Sequence, residues 1–140
     1  MPAHQPTFDL QSHSRYSDGA LSPAEVVDAA AAAGVELLSL TDHDTVDGVR
    51  EAAAAAGQAG IRLATGVEIS ALDRTSADLH ILGYLIDDRD PELLERLEGF
   101  RADRERRTEA MVTALRELGF EIDVQPLERR VAEGKPIGRP

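Results

Sequence analysis

Among the residues of the first 84 positions that could bind metal ions or move protons, Gln11, His13, Asp18, Asp42, His43, Asp44, Glu68 and His80 stand out by their place in the pattern. With no cysteine in the chain, disulfides and thiolate metal sites are excluded, and His, Asp and Glu remain as the strong ligands. That donor set suits Zn, Mn, Fe or Mg. Taken singly, each residue has a plainer explanation. His80 reads as a hydrogen-bonded core histidine, Asp18 as a turn former beside Gly19, and Asp42 and Asp44 as caps of a helix beginning near Thr45. Taken together, ligand-type residues at successive predicted strand ends exceed what capping and turns require.

The elements that must position them follow from the surrounding pattern. Residues 7–11 read as a strand, and residues 12–21 as a loop with Ser17-Asp18-Gly19 as its turn. Ser22-Pro23 with Glu25 forms a capping box with proline at the first helical position, and Gly34 ends the Ala-rich helix. Residues 35–41 form a buried strand that runs into Thr41-Asp42-His43-Asp44-Thr45. A second Ala-rich helix covers 46–59 and ends at Gly60, and residues 61–70 and 78–86 supply two further strands. Strands alternating with helices imply parallel pairing and an α/β fold, with a hairpin open as an alternative for the last two strands. In such folds sites are built at the carboxyl ends of strands. Alternation lets Gln11 and His13 face a common centre, and lets His80 project from a strand wall on the face of Leu82 and Tyr84.

From Asp90-Pro91 the pattern becomes one long helix, to about Leu118, followed by Gly119. The tail, residues 120–140, carries Pro126, Gly134, Pro136, Gly138 and Pro140 and reads as turns. Along the helix, Leu93, Leu97 and Phe100 mark an apolar stripe that Met111, Leu115 and Leu118 continue, and between them it falls on Arg104 and Arg107. A solvated run with internal Asp–Arg and Glu–Arg pairs is the plain reading of 101–107. Guanidinium groups on a buried stripe instead ask for an anion, and a phosphate satisfies their donor fork.

The formal net charge of −11 and pI of about 4.7 exclude a broad duplex nucleic-acid footprint and leave small phosphorylated substrates open. No run of eighteen apolar residues and no secretory start are present, so the protein is read as cytoplasmic with no membrane partner. At 140 residues the chain holds one ordinary domain.

At this point the sequence resembles a known family. Asp9-Leu10-Gln11-Ser12-His13-Ser14, Tyr16-Ser17-Asp18-Gly19, Thr41-Asp42-His43-Asp44-Thr45, Gly66-Val67-Glu68-Ile69-Ser70 and His80-Ile81-Leu82-Gly83-Tyr84 are similar to the successive motifs of polymerase-and-histidinol-phosphatase (PHP) phosphoesterases. The likeness is to the branch that removes the 3′-phosphate of 3′,5′-nucleoside bisphosphates and trims short RNA from the 5′ end. The resemblance implies the N-terminal part of a distorted (β/α)7 barrel over residues 1–88. Residues 89–140 would be part of a helical insertion, cut short at Pro140. It implies up to three divalent ions (Mn, Zn or Fe), with His13 and Glu68 on one, Glu68 and His80 on a second, and Asp18 and His43 on a third. Asp42 would orient a neighbouring ligand, and the metals would polarise the phosphoryl group and activate water. It also places Arg139, of the closing Ile137-Gly138-Arg139-Pro140, beside Arg104 and Arg107 near the substrate.

Two departures accompany the likeness. Gln11 stands where the family has histidine and offers only an amide oxygen to a metal. The family's later His and Asp ligands fall beyond Pro140, so the 140-residue chain is expected to be inactive alone and to self-associate through an open barrel edge. A non-catalytic metal-binding scaffold and metal-dependent amide hydrolysis are the competing readings.

Overall fold

Short side chains, caps and glycines set the local structure of the computed structural model, which describes residues 7–71, 79–133 and 137. The elements in chain order are β1 (Phe8–Ser12), α1 (Pro23–Ala32), β2 (Leu37–Leu40), α2 (Val49–Ala59), β3 (Arg62–Ala71), β4 (Leu79–Tyr84), α3 (Pro91–Glu117) and α4 (Gln125–Ala132). The capping box of α1 forms as read: the Ser22 hydroxyl accepts from the Glu25 backbone and the Glu25 carboxylate accepts from the Ser22 N–H at 2.8 Å. Gly60 closes α2 with φ of 74°, a left-handed conformation that suits glycine. Helix α2 begins at Val49 rather than at 46, because residues 42–48 are held as a loop beneath the site.

Strands β1, β2 and β3 pair in parallel, and β4 returns antiparallel on β3, so the hairpin alternative is realised. Residues 72–78, which hold most of the hairpin link, lie outside the described residues. The sheet order is β1-β2-β3-β4, yet Tyr84 on β4 donates its hydroxyl hydrogen to the Leu10 carbonyl on β1 at 2.9 Å. Contact between the two ends of the order means that the sheet curls, giving half of a barrel.

Alternation along the strands sorts residues between the two faces of this curl. Leu38 and Leu40 pack outward with Val27, Ala52 and Ala56 of the two Ala-rich helices. Small side chains let α1 and α2 approach each other closely there. Val67 packs outward with Val46, Val49 and Leu97, which docks the first half of α3. On the opposite face, Gly66, Glu68 and Ser70 stand beside their cross-strand partners Tyr84, Leu82 and His80. A Cβ on Gly66 would sit 2.4 Å from Ser39 Oγ, so only glycine permits this approach of β2 and β3.

Two sequence expectations are corrected. The tail is not all turn: α4 spans Gln125–Ala132, with a proline in its first turn, where proline is tolerated and even favoured. On α3 the stripe does not run on through Met111 and Leu118, which are 63% and 74% exposed. Beyond Phe100 the half-buried positions are Arg101, Ala102, Arg104, Glu105, Thr108, Val112 and Leu115, while Arg107 is exposed. A strict seven-residue repeat drifts by about 20° per heptad around a straight helix, and that drift moves the stripe.

Candidate metal centre

The ligand-type residues converge at the carboxyl ends of β1, β2 and β3 and on the return strand β4. Within the loop after β1, Ser14 donates to Asp42 through both its N–H and its hydroxyl, each at 2.6 Å. Ser17 adds a third bond to Asp42 at 2.6 Å. The carboxylate of Asp42, buried to 2% exposure, therefore folds the loop over itself and carries His13 and Asp18 with it. Gly19 completes the turn, donating to the Ser14 carbonyl at 3.0 Å. A Cβ there would lie 2.3 Å from the His13 carbonyl oxygen, so the turn accepts no side chain. Arg130 of α4 reaches back to the Ser17 carbonyl at 2.8 Å.

Glu68 is the hub. Its carboxylate accepts from the Gln11 amide at 3.0 Å and from His80 Nδ1 at 2.6 Å. His13 Nε2 lies 3.2 Å away and His43 Nδ1 3.6 Å away. Asp18 reaches His13 at 3.4 Å and His43 at 3.7 Å from the other side. His43 stacks on His13 with ring centroids 4.6 Å apart and meets His80 edge-on at 4.9 Å. Burial favours the neutral acid of Glu68, but the Gln11 and His80 hydrogen bonds and the nearby histidines outweigh it and hold the group below its ordinary value. Burial holds His43 below the usual imidazole value, against the pull of Glu68 and Asp18. A carboxylate kept ionised beside an imidazole kept neutral are the protonation states that ligation needs.

These residues fit a divalent ion. His43 Nδ1 is buried and has no hydrogen-bond partner among the described residues, although Glu68 stands just beyond bonding range. The ligand atoms of His13, Asp18 and His43 lie within 4.8 Å of one another, as do those of His43, Glu68 and His80. His43 is common to both groups, and a neutral imidazole has one lone-pair nitrogen, so it serves one group at a time.

All six ligand-type residues expected from sequence, Gln11, His13, Asp18, His43, Glu68 and His80, come together here. Gln11 approaches through its amide nitrogen, as a donor to Glu68. Arg104 pairs with Asp44 and donates to Ser70 Oγ at 2.8 Å, whereas Arg107 is exposed and Arg139 lies outside the described residues. Ser14, Ser17 and Arg130 are working residues that the sequence pattern does not single out, and Asp44, a candidate there with a cap as its plain reading, acts instead through Arg104 and Ser70. The two serines could have been found from their place between His13 and Asp18, but nothing local marks Arg130, which acts 113 residues from its partner.

Comparison with known proteins adds to this geometry. A 3′,5′-nucleoside bisphosphate phosphatase of Chromobacterium violaceum is 46% identical over 113 residues, covering 81% of this chain and 39% of that protein. A 5′-3′ exoribonuclease of Haemophilus influenzae is 43% identical over 113 residues, covering 81% and 41%. Among solved structures, an amidohydrolase from C. violaceum with bound sulfate and no metal superposes with a TM-score of 0.76 at 44% identity, over 83% of this chain and 40% of that one. A Bifidobacterium adolescentis protein described as a metal-dependent phosphoesterase gives 0.79 at 32% identity, over 95% and 45%. The chain thus spans about two fifths of the length of the curated relatives it matches. The PHP domain model matches residues 9–121, and with that match the chain belongs to the PHP domain family.

Proposed function

We propose that this chain carries the metal-binding part of a phosphoesterase acting on 3′,5′-nucleoside bisphosphates or short RNA. The observation that carries the reading is Glu68, whose carboxylate meets His13, His43 and His80 while Asp18 closes the far side. A divalent ion, of Mn, Zn or Fe type, supplies Lewis acidity and an activated water near neutral pH. His13, Asp18, His43, Glu68 and His80 between them would hold up to three such ions, with Gln11 at the margin of the set, and Asp42 keeps the His13–Asp18 loop in place. The names of the curated relatives support a phosphorylated substrate over a neutral amide. Arg107 and Arg139 grip its phosphates, while the guanidinium of Arg104, expected from sequence to join them, is engaged by Asp44 and Ser70, and residues 89–140 act as a helical insertion beside the barrel portion, 1–88. A substrate of this class locates the work in the cytoplasm.

Metal analysis after dialysis tests the centre: the His43→Ala/Glu68→Ala variant should retain far less Mn or Zn than the parent chain. Equal metal in the two proteins would sink the reading. One observation favours a second reading, a metal-binding scaffold without catalysis: Gln11 spends its amide on Glu68 instead of offering a histidine nitrogen. Turnover of a nucleoside bisphosphate by a longer protein containing this chain would exclude it.

A further inference from the structure

Asp44 follows His43, is 1% exposed, and belongs to neither ligand group. Its backbone has φ of 53°, a left-handed conformation that aspartate tolerates better than most residues. Two of its polar contacts are directed at the strand that carries Glu68. The Asp44 N–H donates to the Glu68 carbonyl at 2.9 Å, and its carboxylate accepts from the Ser70 N–H at 2.8 Å. Glu68 in turn donates its N–H to the Asp42 carbonyl at 3.1 Å, so its backbone is held on both sides of the bridge it forms with His43.

A carboxylate buried to this extent is destabilising unless a cation and further hydrogen bonds compensate it. Arg104 is that cation. It comes from α3, sixty residues along the chain, and its guanidinium joins Asp44 Oδ2 to the Ser70 hydroxyl. We propose that Asp44 is a positioning residue of the metal centre: with Arg104 as its counter-charge, it fixes the Glu68 backbone and His43 in ligating geometry. Through this pair, helix α3 is mechanically part of the centre. The inference rests on the metal-binding reading above.

A pair that merely docks α3 would influence stability and leave ligation alone, and cobalt distinguishes the two roles. Titration of the 140-residue chain with Co²⁺, followed by its visible absorption, reports both affinity and ligand geometry. Asp44→Asn keeps the side-chain shape, and Arg104→Met removes the charge. Each should weaken Co²⁺ binding by about 10–100-fold, the range for partners that orient ligands, and alter the saturated spectrum. Arg104→Lys should recover most of the affinity, and remains informative if Asp44→Asn does not fold. Parent affinity and spectrum in Arg104→Met, with only a lowered melting temperature, would overturn the inference while leaving the metal centre intact. Absence of Co²⁺ binding by the parent chain would overturn the metal reading itself, and this inference with it.

Discussion

Glu68 shows how much a single side chain can organise: four neighbours on two strands and two loops converge on its two oxygens. Such a hub works only if the loop bearing His13 and Asp18 is held in register with it, and that loop depends on a position with no side chain. At Gly19 an added methyl group would meet backbone at 2.3 Å and 2.6 Å, and backbone cannot swing aside as a flexible side chain can. We therefore expect Gly19→Ala to displace His13 and Asp18 and to reduce divalent-metal affinity by at least about tenfold, the lower end of the range for disturbed ligand support. Isothermal titration with Mn²⁺ would check this, and parent-like affinity would show that the turn can relax.

At the level of elements, helix α3 reaches the centre because one end of it is docked. Leu97, 3% exposed, packs with Val46, Val49 and Val67, and without that anchor Arg104 would not be held against Asp44. Leu97→Ala should destabilise the fold by about 2–5 kcal/mol through lost burial and the cavity left behind. Urea unfolding gives the value, and a loss below about 1 kcal/mol would mean that α3 is not docked in solution. Helix α1 makes a different prediction, in pH. Hydrogen bonds from Ser22 hold the Glu25 carboxyl below its ordinary value of 4.5. A depressed carboxyl value means that the unfolded chain binds the proton more readily, so the contribution is present above pH 4.5 and is lost as pH falls through the folded value. Glu25→Gln cannot titrate, so the parent's stability advantage over it should exist at pH 7 and shrink as pH falls below 4.5. An advantage that did not shrink with falling pH would show that the carboxylate charge is not what the box uses.

For the molecule as a whole, the curled sheet exposes apolar side chains on both edge strands and lines a cleft with others, among the described residues. Leu10, Leu37, Leu63, Ala64, Tyr84 and Leu85 line an open cleft of about 570 Å³, and Phe8 and Ile81 on the edges are 66% and 51% exposed. Apolar edges of this kind pair with other chains. Light scattering of the isolated chain at micromolar concentration should therefore show dimers or larger species, and a sharp, cooperatively unfolding monomer would contradict it. Much of the architecture was legible beforehand, because helix caps, glycine stops and strand alternation are written in neighbouring residues: Ser22 with Glu25, Gly60 after α2, and Glu68 and Ser70 two positions apart. The same local logic placed His13, Asp18, His43 and Glu68 at or just past strand ends and His80 on a strand wall, and from there at one centre. It did not reach the ion pair of Asp44 with Arg104, the return of Arg130 to Ser17, or the drift of the α3 stripe away from Met111. Those depend on the curl of the sheet and on the rotation of a long helix, which bring together residues whose separation of sixty or more positions leaves no local trace.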